Sequence, residues 1–123
     1  MKKVLVVDDD VAILEAIQVS LELEDYVVCT ATDGIMAVQK AKTELPQLII
    51  LDVLLSGSDG RDIARTLKST QETQTIPIVM VSAHQNIRES VLEAGANDFL
   101  PKPFNIDDLL KLASEYTASS HSV

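Results

Sequence analysis

The chain holds a single cysteine, Cys29, so no intrachain disulfide can form, and a reducing cytoplasmic setting is the expectation. Tryptophan is absent and only Tyr26, Tyr116, Phe99 and Phe104 are aromatic, so any core must be aliphatic. Basic residues are scarce: 10 Lys and Arg stand against 19 Asp and Glu, a formal net charge of -9. Nucleic acids and anionic membrane surfaces are gripped by basic patches, so neither is an expected direct partner. No apolar run approaches the roughly 20 residues of a membrane span. No secretory leader is read at the start, because the apolar run after Met1-Lys2-Lys3 stops after four residues at Asp8. There is no internal repeat and no low-complexity stretch. What remains is a 123-residue chain, 46% apolar and 24% charged, which fits one globular domain with one hydrophobic core.

Short apolar runs and amphipathic stretches alternate along it. Val4-Leu5-Val6-Val7 predicts a first strand over about residues 3–8, and Asp10 is the candidate N-cap of a helix over about 11–24. That helix would bury Ile13, Leu14, Ile17 and Leu21 and turn Glu15, Gln18 and Glu22 to water. Tyr26 to Ala31 reads as a weaker, more mixed strand, which suits a sheet edge. Asp33-Gly34 opens a second helix with Met36, Ala37, Val38 and Ala41, ending before Pro46. Leu48-Ile49-Ile50-Leu51-Asp52 reads as a strand buried on both faces, followed by a loop through Ser56-Gly57-Ser58-Asp59-Gly60. Asp59 or Gly60 starts a third helix with Ile63, Ala64 and Leu67 inward. Pro77 to Ser82 is the fourth strand. A fourth helix over about 86–94 ends at Gly95, the C′ candidate. Asn97 to Pro101 is a short fifth strand, and Asn105 or Asp107 opens a last helix carrying Ile106, Leu109, Leu110 and Ala113. Val19 and Leu112 lie off their stripes, which leaves packing or a partner contact open for them. Five strand–helix repeats with short loops predict an α/β fold, a doubly wound parallel sheet covered by helices on both faces.

A parallel sheet releases all its strands at one edge, where open α/β folds bind ligands. Asp8 and Asp9 leave strand one there, Asp52 strand three and Ser82 strand four, while Lys102 follows strand five. Taken singly, each has a plainer role: capping or solvated acids, a loop hydroxyl, a surface lysine, and for Phe99 a core ring. Together they define a chemistry. Carboxylates crowded in one pocket repel each other unless a cation joins them. Few hard oxygen ligands suit Mg²⁺, which keeps waters and pairs with phosphate oxygens. A carboxylate beside it can act as a nucleophile and become an aspartyl phosphate. Lys102 offers a point charge and Ser82 a hydroxyl for the transferring group.

These motifs, Val6-Val7-Asp8-Asp9-Asp10, Ile50-Leu51-Asp52, Asp59-Gly60, Val81-Ser82-Ala83, Gly95-Ala96-Asn97-Asp98-Phe99 and Lys102-Pro103-Phe104, resemble the CheY-like receiver domain of two-component response regulators across essentially the whole chain. The resemblance implies a (βα)5 fold of strand order 2-1-3-4-5. It implies a receiver domain over residues 1–117 with a short flexible tail at 118–123 and no output domain in this chain. It casts Asp52 as phospho-acceptor, Asp9 as a direct Mg²⁺ ligand, Asp8 as a ligand largely through water, and the backbone carbonyl of Leu54 as the remaining protein ligand. Ser82 and Phe99 become the switch pair, and Lys102-Pro103 a cis peptide. The implied partners are a sensor histidine kinase or histidine phosphotransfer protein, docking near helix one and the loop after strand five, and a downstream protein on helix 4, strand 5 and helix 5. The protein is then a signalling phospho-acceptor rather than an enzyme, with self-catalysed transfer and slow autodephosphorylation. Two departures stand out. Ser56 stands where the family often has proline, which implies a looser loop, and Phe99 lacks the hydroxyl of the commoner tyrosine. Leu54 and His84 occupy positions that influence phosphoryl hydrolysis in the family; otherwise His84 and His121 read as surface residues. Two other functions compete. A haloacid-dehalogenase-like phosphatase would use Asp8 as nucleophile, but Ala12 breaks that motif. A phosphorylation-independent module of the same fold would not need the full acidic pocket.

Overall fold

The computed structural model describes residues 2–118. Five strands form one parallel sheet: β1 (Lys3–Val7), β2 (Val27–Ala31), β3 (Leu48–Asp52), β4 (Ile78–Ser82) and β5 (Asp98–Pro101). Their order is β2-β1-β3-β4-β5, so the mixed second strand is an edge, as its composition implies, and β5 is the other. The helices are α1 (Val11–Leu23), α2 (Gly34–Glu44), α3 (Gly60–Lys68), α4 (Arg88–Glu93) and α5 (Ile106–Ala118). The boundary expected after residue 117 falls inside α5, whose last residue is Ala118. The rest of the expected tail, with His121, lies outside the described residues.

The two-residue period of the strands sorts the core into two halves. Leu5, Val7, Ile49, Leu51, Ile78, Met80 and Phe99 face the side covered by α2, α3 and α4. Val4, Val6, Leu48, Ile50, Val79, Val81 and Leu100 face α1 and α5. Both faces of β1, β3 and β4 are therefore buried, which is why these strands read as unbroken apolar runs. On α1, Leu14, Ile17 and Leu21 are buried, as their spacing predicts, while Ile13, expected with them, is only half-buried at the edge of that core. Leu112 packs against the α1/α5 half of the core, whereas Val19 is exposed.

Two stretches differ from the sequence reading. The fourth helix is shorter than 86–94: residues 85–87 form a 3-10 turn and α4 begins at Arg88. Neither His84 nor Ile87, the two cap positions, supplies a side-chain cap, so the regular helix starts late. Its far end is well fixed. Gly95 at φ 107° is the C′ residue, with Gly95 N–H on Leu92 O and Ala96 N–H on Val91 O, a Schellman motif. The loop after Asp52 is also more ordered than expected, because Leu54–Leu55 pairs antiparallel with Ser58–Asp59 in a small hairpin. Gly60 then seats α3 directly behind the end of β3. A Cβ there would meet the Asp52 carbonyl oxygen and lie 2.9 Å from Val53 Cα, so only glycine permits this approach.

Candidate functional site

The C-terminal edge of the sheet gathers the predicted residues. Asp8 follows β1, Asp52 ends β3, Ser82 ends β4 and Lys102 follows β5. One carboxylate oxygen from each of Asp8, Asp9 and Asp52 lies within 4.8 Å of the others. Asp8 and Asp52 are buried, at 3% and 8% exposure, while Asp9 faces solvent. Lys102 Nζ sits 3.3 Å from Asp8 Oδ2 and 3.3 Å from Asp52 Oδ2, and the Lys102-Pro103 peptide is cis.

The three consecutive aspartates divide three tasks. Asp10 caps α1, its Oδ1 accepting from Ala12 N at 3.0 Å and Ile13 N at 3.3 Å. Asp8 Oδ1 accepts from Asp10 N at 2.9 Å, which leaves Oδ2 to face Lys102. Asp9 Oδ2 accepts from both the N–H and the hydroxyl of Ser56, at 2.9 and 2.8 Å. The loop that the serine was expected to loosen is thus tied back to the acidic cluster. A proline at 56 would offer neither donor, and that difference is the signal in the sequence that points to the contact.

The electrostatics are unbalanced. Burial raises the Asp52 carboxyl above its usual value and the Asp8 carboxylate adds to this; Lys102 and the Leu54 N–H oppose the shift without cancelling it. Burial pulls the Lys102 ammonium down, but Asp52 and then Asp8 outweigh it and hold its pKa above the ordinary lysine value. One ammonium therefore does not neutralise three clustered carboxylates. Oxygen donors this close, still short of positive charge, fit a hard divalent cation.

The remaining expected residues are less directly engaged. Ser82 is buried and its Oγ accepts from His84 N at 3.0 Å; among the described residues it makes no hydrogen bond to Asp52 or Lys102. Phe99 is buried at 6% exposure, and the Arg88 guanidinium carbon lies 5.9 Å from its ring centroid. A ring without a hydroxyl needs no polar partner in that position. Leu54 has an exposed side chain on the hairpin, beside Asp59 in register. His84 is exposed. A link absent from the sequence reading joins this hairpin to α4. Arg61 clasps Asp59 through Nε at 3.0 Å and Nη2 at 2.6 Å and donates from Nη1 to Ser90 Oγ at 3.0 Å.

Comparison with known proteins agrees with this geometry. Residues 4–114 match the family model described as response regulator receiver domain. The response regulator MprA of Mycobacterium ulcerans is 39% identical over 110 residues, 88% of this chain but 47% of that protein, so the chain spans about half of its length. The receiver domain of NtrX from Brucella abortus superposes with a TM-score of 0.86 at 35% identity, covering 95% of this chain and 99% of the other. The receiver domain of the sensor histidine kinase PA1611 from Pseudomonas aeruginosa PAO1, with a magnesium ion coordinated in its active-site cleft, gives a TM-score of 0.88 at 29% identity, covering 95% and 98%.

Proposed function

The chain belongs to the response regulator receiver domain family, whose members are phospho-acceptor switches, and on that footing we propose that Asp52 is the residue phosphorylated here. The observation that carries the reading is the convergence of Asp8, Asp9 and Asp52 within 4.8 Å, with Lys102 Nζ 3.3 Å from two of them. An Asp52 oxygen attacks the phosphorus of a phosphohistidine, the P–N bond breaks, and the imidazole leaves to take up a proton.

Asp9, Asp52 and the Leu54 carbonyl would hold Mg²⁺ directly, with Asp8 acting largely through water. The ion supplies charge neutralisation for the equatorial phosphoryl oxygens. Lys102 leaves the Asp52 carboxylate to pair with a phosphoryl oxygen, and the Ser82 hydroxyl turns from His84 N–H to donate to another. Phe99, in one core cluster with Val91 of α4 and beneath the Arg88 guanidinium, carries the change to α4, β5 and α5, where a downstream protein docks. The donor is a sensor histidine kinase or phosphotransfer protein. An apolar depression of about 340 Å³ lined by Ile13, Ala83, Lys102, Pro103 and Phe104 lies beside the acceptor and supports its docking against α1 and the loop after β5. Among the described residues no helix is long and apolar enough to cross a membrane. The single half-exposed cysteine fits a cytoplasmic setting.

The test is an NMR titration with Mg²⁺ and then beryllofluoride, a phosphoryl mimic. Amide shifts at Asp9, Asp52, Ser82 and Lys102 that spread to Phe99 and α4, and that vanish in Asp52→Asn, are expected. Shifts confined to the acidic cluster would reduce the role to metal binding.

A further inference from the structure

We propose that Ser56 is a positioning residue that makes Asp9 a one-oxygen ligand and so tunes the site toward Mg²⁺ over Ca²⁺; this rests on the metal-binding reading above. Ser56 reaches Asp9 across 47 positions of sequence, and both its donors converge on a single oxygen, Oδ2, at 2.9 Å from the backbone N–H and 2.8 Å from the hydroxyl. A carboxylate oxygen has two lone pairs, so Oδ2 is fully used. Among the described residues no donor reaches Oδ1. Oδ1 is therefore the oxygen left for a cation, and the carboxylate plane is fixed before the ion arrives. This order matters because Asp9 is exposed, unlike Asp8 and Asp52, so the surrounding core does nothing to hold its rotamer. The brace is itself braced: Ser56 sits at the turn of the hairpin in which Leu54 pairs with Asp59 and Leu55 with Ser58.

The consequence is one of selectivity. Mg²⁺ demands near-octahedral geometry with single-oxygen ligands and retained water, whereas Ca²⁺ takes more oxygens and readily uses both of a carboxylate. A carboxylate whose second oxygen is already occupied suits the smaller ion. Hydrogen bonds of this kind behind a metal ligand are typically worth 10–100-fold in metal affinity.

Isothermal titration with magnesium chloride and separately with calcium chloride tests this on the full chain, its Ser56→Ala variant and its Ser56→Thr variant. Ser56→Ala is expected to bind Mg²⁺ about tenfold more weakly. Its Ca²⁺ affinity is expected to hold or rise, so the preference between the ions narrows. Ser56→Thr keeps both donors and restores the original preference. An equal fall for both ions in Ser56→Ala, or no change for either, overturns the role of Ser56 while leaving the metal site standing. Failure of the unaltered chain to bind Mg²⁺ at all overturns the metal site and this role with it. A native amide spectrum outside the hairpin confirms that each variant is folded.

Discussion

Lys68 and Lys102 are two half-buried lysines at opposite ends of the same sheet. Lys68, at the end of α3, donates to the carbonyl of Ile76 at 2.7 Å and to the side-chain oxygen of Asn97 at 3.2 Å. Burial holds its pKa below the ordinary lysine value, and among the described residues no carboxylate offsets that shift. Lys102 suffers the same burial but faces Asp52 and Asp8, and its pKa goes up instead. The difference lies in the acceptors. Neutral carbonyls fasten Lys68 as a tie between α3 and the entrances to β4 and β5. Carboxylates hold Lys102 by charge, and a phosphoryl group on one of them would offer that charge a stronger acceptor. The same residue type thus ties neutral carbonyls together at one end and, on the proposed function, serves chemistry at the other.

Replacing each lysine should separate those uses. Lys102→Ala removes a cation from the transferring group, and phosphorylation from a small phosphodonor should slow by about 10²-fold. Radiolabel incorporation reads this directly, and an unchanged rate would place Lys102 outside the transfer step. Lys68→Met should leave that rate alone and instead lower stability by about 1–3 kcal/mol, the usual cost of stripping partners from buried polar groups. Urea denaturation measures it; a stability equal to the parent's would show the Lys68 contacts to be idle.

The smallest effect concerns Asp59, whose carboxyl the Arg61 guanidinium holds below its usual value. A lowered folded pKa means that this stabilisation is complete above the unfolded value of about 3.9 and is lost as pH falls through the folded one. Asp59→Asn keeps a competent N-cap for α3 but removes the charge. The variant should lose less stability than the parent on acidification below about pH 4. Thermal melts across that range check it, and identical acid limbs would mean that the ion pair is too well solvated to matter.

Much of the fold was legible because burial leaves a period in the sequence. The five parallel strands, the edge position of β2, the N-cap Asp10 and helix starts at Asp33-Gly34 and Asp59-Gly60 all follow from apolar runs and capping chemistry. The convergence of Asp8, Asp9, Asp52 and Lys102 followed from one topological rule, that parallel strands end on one edge. The hairpin at 54–59 escaped because two-residue strands are too short to show alternation. The late start of α4 escaped because no cap residue marks it.

By itself the sequence determined the main buried stripes, in what order the elements run, and which carboxylates must share an edge. Only the tertiary structure decided that Ser56 tightens what a missing proline was expected to loosen, that Arg61 bridges the hairpin to Ser90, and that one ammonium must serve two buried carboxylates. The physical reason is range. Periodicity and capping act over a few residues and leave their mark in composition. A hydrogen bond between side chains 47 positions apart depends on where the whole chain has already brought them.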